Sequence, residues 1–196
     1  MLPENRSALK EWGAVERALA AGRTTALVRK GGIHERRKDF EVEHREFWLF
    51  PTLFHQNPHE LRPDFLPYLE AADALPHDVN RVRIEHYAAV EDALRVESLD
   101  ALHRLDGLHP LTAETVDSRF AYRNRPYLHV LTLRVFRMPE PYVIPNTLDY
   151  EGCVSWVELD DALSTDGAVP VLDDAEFAAR RAEVLARLGE EGVVRL

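Results

Sequence analysis

Several features are scarce in this chain of 196 residues. Cys153 is its one cysteine, so no internal disulfide can form, and we expect a reducing compartment such as the cytoplasm. No apolar run approaches the roughly 20 residues that a membrane-spanning helix needs. The first residues, Met1 to Arg6, lack the basic and apolar stretches of a signal peptide. We therefore expect a cytoplasmic protein without a membrane partner.

Lysine is also scarce, since Lys10, Lys30 and Lys38 are the only ones and arginine carries the remaining basic charge. The net charge of −10 argues against a protein that coats nucleic acid through phosphate contacts over its whole surface. Residues 119–137 nevertheless contain five arginines and no acidic residue. This bias has two explanations: a GC-rich genome, or recognition of an anion by guanidinium groups.

The spacing of apolar residues predicts the main elements of secondary structure. After Ser7, which can cap a helix, apolar residues recur at helical spacing up to Gly22, namely Leu9, Trp12, Val15 and Leu19. Alternating or continuous apolar runs predict strands at residues 24–30, 46–50, 82–96, 127–138 and 153–159.

The chain is interpreted as one domain over residues 1–196. Four prolines surround a short predicted helix between residues 57 and 80, which indicates a helical excursion from the main body. Ser98 and Thr112 are placed to cap two short helices. Asp173 and Glu176 form a variant of the capping box, and they predict a C-terminal helix at about residues 174–188.

Long strands without repeated strand–helix–strand units favour an α+β fold. The strand after the first helix is expected to pair with the one that begins near Tyr127. We therefore predict a mixed or antiparallel sheet that closes into a barrel flanked by helices.

Four ordered fragments of the chain resemble one bacterial family. They are residues 8–12 (ALKEW), 29–33 (RKGGI), 50–56 (FPT with HQ) and 152–156 (GCVSW). The family they resemble is domain of unknown function 1802, which has no established activity to carry over.

A second resemblance concerns the segment from Ala21 to Thr25 (AGRTT) followed by Arg29. It is similar to the opening of ASCH domains, which belong to the PUA-like barrels. The resemblance implies a PUA-like barrel, and such domains commonly bind RNA or modified bases. Catalytic ASCH members have lysine where this chain has Thr24 and threonine where it has Leu27, so their hydrolase activity is not carried over.

Basic and polar residues supply candidates for binding RNA, DNA or a nucleotide, because guanidinium groups neutralise phosphates and aromatic rings stack on bases. We predict an anion-binding groove from eight residues: Arg23, Arg29, Lys30, Thr52, Gln56, Arg119, Arg123 and Arg134. Arg119 and Arg123 are expected to share one helix face. The alternatives are a plain turn after Lys30 and ordinary surface charge that offsets an acidic protein.

Two further hypotheses concern catalysis and protein partners. Glu43, His44 and His55 are candidates for acid–base chemistry in a hydrolase acting on a nucleoside or phosphodiester. The histidines form no ligand cluster, so we expect no metal and no cofactor. A protein partner, of unknown identity, is the third hypothesis, with the acidic C-terminal helix as its contact.

Overall fold

The computed structural model describes residues 1–30, 44–53, 56–75, 78–152 and 154–196. Glu43, His55 and Cys153 lie outside the described residues, as does the turn predicted after Lys30. The described elements, in chain order, are β1 (Glu4–Trp12), α1 (Gly13–Ala20), β2 (Ala26–Arg29), β3 (Glu46–Thr52), α2 (Leu66–Asp73), β4 (Arg81–Val96), α3 (Leu99–Arg104), α4 (Ala113–Ala121), β5 (Leu128–Pro145), β6 (Trp156–Ser164), β7 (Val169–Pro170), α5 (Asp174–Leu188) and β8 (Val193–Arg195).

The strands form one mixed sheet in an α+β fold. Its main path runs β2-β5-β4-β3-β1-β6, with β7 beside β5 and β8 beside β4. β1 and β3 are parallel, with Lys10 opposite Phe50 and Trp12 opposite Thr52, and the other neighbours are antiparallel. The predicted pairing of the second and fifth strands is confirmed.

The sheet does not close into a barrel, which corrects the expectation from sequence. Over the described residues, β2 and β6 are the two edges of the sheet path, and no backbone ladder joins them. Arg29 at the end of β2 instead reaches the seam between β1 and β6. Its guanidinium donates to the Lys10 carbonyl at 3.0 Å and to Ser155 Oγ at 2.8 Å. Side-chain hydrogen bonds therefore hold the curled sheet where barrel closure would need backbone pairing.

The predicted first helix is wrong in its first half, because residues 4–12 form β1. Ala8 and Leu9 are both fully buried, on opposite faces of a strand that pairs with β3 on one side and β6 on the other. Two neighbouring strands satisfy the backbone of β1 on both sides, and this tertiary pairing overrides the helical spacing of Leu9 and Trp12. The helix begins only at Gly13.

Two of the hydrophobic clusters of the core lie on the two faces of β3. Phe47 and Leu49 contact the cluster that includes Val15 and Leu19 of α1, while Trp48 and Phe50 face the opposite cluster. Such two-sided burial is typical of a strand in the middle of a sheet. It fixes the position of β3 and of the parallel strand β1 beside it.

Asp92 anchors the C-terminal elements to the sheet. It lies at a register shift in β4, where Thr132 of β5 donates a hydrogen bond to it. Arg181 of α5 binds it through Nε and a terminal nitrogen at 2.6 and 2.8 Å, and Arg195 of β8 binds it at 2.9 Å. Burial alone raises the pKa of Asp92, but these hydrogen bonds outweigh it and lower the pKa to about 2.

We predict that Asp92→Asn destabilises the protein by about 2 kcal/mol at pH 7, because the folded state loses its preference for the ionised carboxylate. Because the pKa of Asp92 is lowered, its contribution to the free energy of unfolding is full at pH values above the ordinary pKa of 3.8. This contribution is lost as the pH falls towards about 2. Denaturant unfolding at pH 7 and pH 3 measures both effects. The matched control is Asp161→Asn at an exposed position of β6. Equal stability of the two variants at pH 7 would contradict the anchor.

Candidate functional site

A cleft of about 1100 Å³ lies at the carboxyl ends of the parallel strands β1 and β3. Lys10, Glu11 and Trp12 line it from β1, and Phe50 to Leu53 line it from the end of β3. The walls come from α1, α2, α4, the start of β4 and the end of β5. Strands of different length and direction therefore end around one hollow, which is where the topology leaves space for a ligand.

Basic side chains dominate the charged lining of this cleft. Among the described residues, three lining residues are acidic: Glu11, Asp78 and Glu151. Seven are basic: Lys10, Arg17, Arg29, Lys30, Arg81, Arg83 and Arg119. A chain with a net charge of −10 thus concentrates positive charge at one concave surface.

Arg29 and Glu11 form a largely buried ion pair in the cleft. Their side chains are 14% and 12% exposed, and the second Glu11 oxygen accepts from the Trp12 backbone N–H at 2.8 Å. Thr52 Oγ1 donates to the Glu11 carbonyl at 3.1 Å. These contacts fix the ends of β1 and β3, so Arg29 and Thr52, both predicted site residues, also build the cleft.

Arg119 of α4 lies against Trp12. Its guanidinium carbon is 5.0 Å from the centre of the indole ring, and a terminal nitrogen is 3.1 Å from a carboxylate oxygen of Glu60. One face of Trp12 is therefore covered by a cation. The arrangement brings a charge to the cleft wall but leaves that indole face unavailable to a stacked ligand.

Lys30 holds the turn that follows α4. Its ammonium donates to the carbonyls of Phe120, Arg125 and Tyr127. Within this turn Arg123 and Asn124 have φ angles of 59° and 54°, a left-handed conformation that is costly for residues with a Cβ. The helix α4 ends at Ala121, before Arg123. Arg119 and Arg123 therefore do not share a helix face, which corrects the expectation from sequence.

The strained turn presents Tyr122 at the rim of the cleft. Tyr122 lines the cleft and is 44% exposed, and the Arg123 guanidinium lies 5.2 Å from its ring centre. An exposed aromatic ring beside a group of cations can stack on a planar ligand.

Arg17, Arg81 and Arg83 line the cleft but were not singled out from the sequence. Arg17 and Arg83 both bind the Glu85 carboxylate. Burial raises the pKa of Glu85, but the hydrogen bonds and charges of these arginines outweigh it and lower the pKa below the ordinary value. A signal was present, since positions 81, 83 and 85 alternate along one face of a strand and all carry charge.

Arg23, Gln56 and Arg134, which were also predicted to bind an anion, are absent from the described lining of the cleft. Arg23 pairs with Asp64 at 2.7 Å, and Arg134 pairs with Asp174 at the start of α5. Gln56 Oε1 accepts from the Ala14 backbone N–H at 2.8 Å and thereby caps α1. Arg123 is likewise outside this lining, beside Tyr122. The structure brings together Arg29, Lys30, Thr52 and Arg119 from the predicted set of eight.

His44 is the one acid–base candidate among the described residues. Its Nδ1 is 3.3 Å from Ser7 Oγ, and its ring packs edge-on against Trp156 at 5.2 Å. It precedes β3, whereas the cleft lies beyond the other end of that strand. Over the described ranges, no group of three or more His, Cys, Asp and Glu side chains could hold a metal ion. None of the described helices has the length and apolar character to cross a membrane.

The fold and cleft define an α+β domain with a curled mixed sheet. The chain belongs to the DUF1802 family, a domain of unknown function, whose model matches residues 8–183. This confirms the family predicted from the sequence. No curated protein matches the chain.

Solved structures of an ASCH protein from Zymomonas mobilis are similar to this chain. One has a TM-score of 0.43 and 14% identity, and covers 90% of this chain and 92% of that chain. A serine-to-alanine variant of that protein has a TM-score of 0.44 and 12% sequence identity, and the match covers 92% of this chain and 98% of that chain. A tyrosine-to-phenylalanine variant has a TM-score of 0.42 and 14% sequence identity, and the match covers 90% of this chain and 96% of that chain.

We predict that Lys30→Met accelerates hydrogen exchange of the backbone amides at residues 122–125 by about tenfold or more, because three carbonyls lose a charged donor. The matched control is Lys10→Met, whose ammonium binds the carbonyls of Tyr150 and Gly152. That control should loosen residues 150–152 and leave the Tyr122 turn unchanged. If Lys30→Met exchanged like the wild type and like the control at residues 122–125, Lys30 would not hold the turn.

Proposed function

We propose that the cleft binds a nucleotide, free or within a single strand of RNA or DNA. The observation that carries this proposal is the excess of seven basic over three acidic residues in the described part of the lining, in a chain of net charge −10. A concave surface of one sign raises the local concentration of an oppositely charged ligand. Guanidinium groups bind phosphate and carboxylate well, because their planar array of N–H donors matches the oxygens of both anions.

The composition of the wall favours a nucleotide over a small inorganic anion. Apolar side chains such as Leu53, Val82 and Val143 share the lining with the cations. Such a wall can cover a ring while the cations neutralise a phosphate. Tyr122, exposed at the rim, supplies a surface on which a base can stack.

The size of the cleft favours a single strand. Its volume of about 1100 Å³ is near the upper end of the range for pockets that enclose small molecules. Such a hollow accommodates a nucleotide or a short stretch of unpaired strand. A duplex would offer its bases only in its interior, out of reach of Tyr122.

Fluorescence anisotropy with a labelled uridylate hexanucleotide tests the proposal. We expect binding that weakens with salt, with log K falling by roughly 0.7 per log unit of salt for each phosphate neutralised. A duplex of equal length should bind more weakly. Absence of binding to the hexanucleotide at 50 mM salt would contradict binding of a strand, and absence of binding to labelled uridine triphosphate as well would contradict the whole proposal.

Substitution of Tyr122 tests the stacking surface. We predict that Tyr122→Ala weakens hexanucleotide binding by about tenfold, whereas Tyr122→Phe stays within about twofold, because the ring and not the hydroxyl makes the contact. Arg180→Ala, at an exposed position of α5, is the control and should bind like the wild type. Equal affinities of the alanine and wild-type proteins would remove Tyr122 from the site.

A further inference from the structure

The cations of the cleft differ in what they already hold. Arg29 is 14% exposed and is committed to Glu11, the Lys10 carbonyl and Ser155. Lys30 binds a carbonyl at the end of α4 and two in the segment that follows it. Over the described residues, the hydrogen bonds of Arg29 and Lys30 go to the wall itself, so both residues build the cleft.

Arg81 and Arg83 differ from them in exposure. Their side chains are 63% and 46% exposed, and both line the cleft from the start of β4. Arg83 uses Nε and one terminal nitrogen on a single Glu85 oxygen, at 2.9 and 2.7 Å. Both guanidinium groups are therefore accessible to a ligand at this end of the cleft.

Carboxylates lie beneath these arginines. Glu85 is 17% exposed and binds both Arg83 and Arg17. Arg17 Nε is also 3.0 Å from an oxygen of Glu16, which is 1% exposed. Neither acid is among the described lining residues. Glu85 therefore holds the guanidinium of Arg83 in the cleft lining, and Arg17, which is 19% exposed and contacts both acids, fixes Glu85 in turn.

Asp78 is the acidic neighbour that shares the exposed surface. One of its oxygens is 3.9 Å from Arg81 Nε, and the two side chains are 53% and 63% exposed. An exposed ion pair at this distance contributes little free energy. An incoming phosphate, with more negative charge and more acceptor oxygens, competes with it readily.

We propose that Arg81 and Arg83 form a phosphate-binding subsite at the β4 end of the cleft, with Glu85 as the residue that positions Arg83. The subsite rests on the proposed function in one respect: the phosphate is that of the nucleotide or strand in the cleft. It assigns affinity for phosphate to two arginines that had no assigned role, and a structural role to Arg17, Arg29 and Lys30.

Binding of inorganic pyrophosphate, measured by isothermal calorimetry at low salt, tests the subsite directly. The double variant Arg81→Gln/Arg83→Gln should bind pyrophosphate about tenfold or more weakly than the wild type, because two charge-assisted donors are lost. The control is Arg6→Gln/Arg180→Gln, which removes the same charge at two exposed positions outside the lining. It should bind within about twofold of the wild type. Thermal unfolding of each variant establishes that it is folded.

The hexanucleotide separates this proposal from the preceding one. In the Arg81→Gln/Arg83→Gln variant the slope of log K against log salt should become shallower by roughly 1.4, the value for two phosphate contacts on a single strand. If pyrophosphate binds and depends on Arg81 and Arg83 while the hexanucleotide does not bind, the subsite stands and the nucleic-acid proposal fails. If the wild type does not bind pyrophosphate, or if the double variant binds it like the wild type or no more weakly than the control, the subsite is wrong.

Discussion

The cleft depends on the contacts that the Arg29 guanidinium makes. It joins β2, one edge of the sheet, to the seam between β1 and β6 through the Lys10 carbonyl, Glu11 and Ser155. An ion pair that is mostly buried is destabilising when one partner is removed, because the remaining charge has lost both water and its counter-ion. The same contact that holds the sheet curled thus keeps the ends of β1 and β3 facing α4.

Around the cleft, acidic and basic side chains lie at different depths. Acidic groups such as Glu16 and Glu85 lie under arginines, and the arginines face the cleft. A protein with a net charge of −10 thus has a basic concave surface in the part of the cleft that the structure describes. For the proposed ligand, this arrangement favours binding at one place over coating along a strand. The turn at Tyr122, strained at Arg123 and Asn124, adds an aromatic surface to the same rim.

The sequence predicted elements whose signals are local and failed where long-range contacts decide. Alternation along β4 and the capping residues Ser98 and Thr112 depend on neighbours in the chain, and the structure has the strand and both caps. β1 was taken for a helix because its pairing with β3 and β6 lies far away in sequence. For the same reason the contacts of Arg17 and Lys30 are not predictable from local sequence, since Glu85 is on another strand and the hydrogen bonds of Lys30 reach a turn some ninety residues later. Alternation alone could have identified positions 81, 83 and 85 as one charged row.

The most direct measurement is a map of backbone amide and arginine side-chain NMR shifts during titration with the uridylate hexanucleotide. The account predicts shifts that cluster on the cleft lining: residues 10–12 and 50–53 at the strand ends, Arg81 and Arg83 of β4, and the Tyr122 turn. Residues of α5 and the surroundings of His44 should remain unchanged. Shifts concentrated at α5 or His44, or an unchanged spectrum at saturating ligand, would contradict a binding cleft at this position.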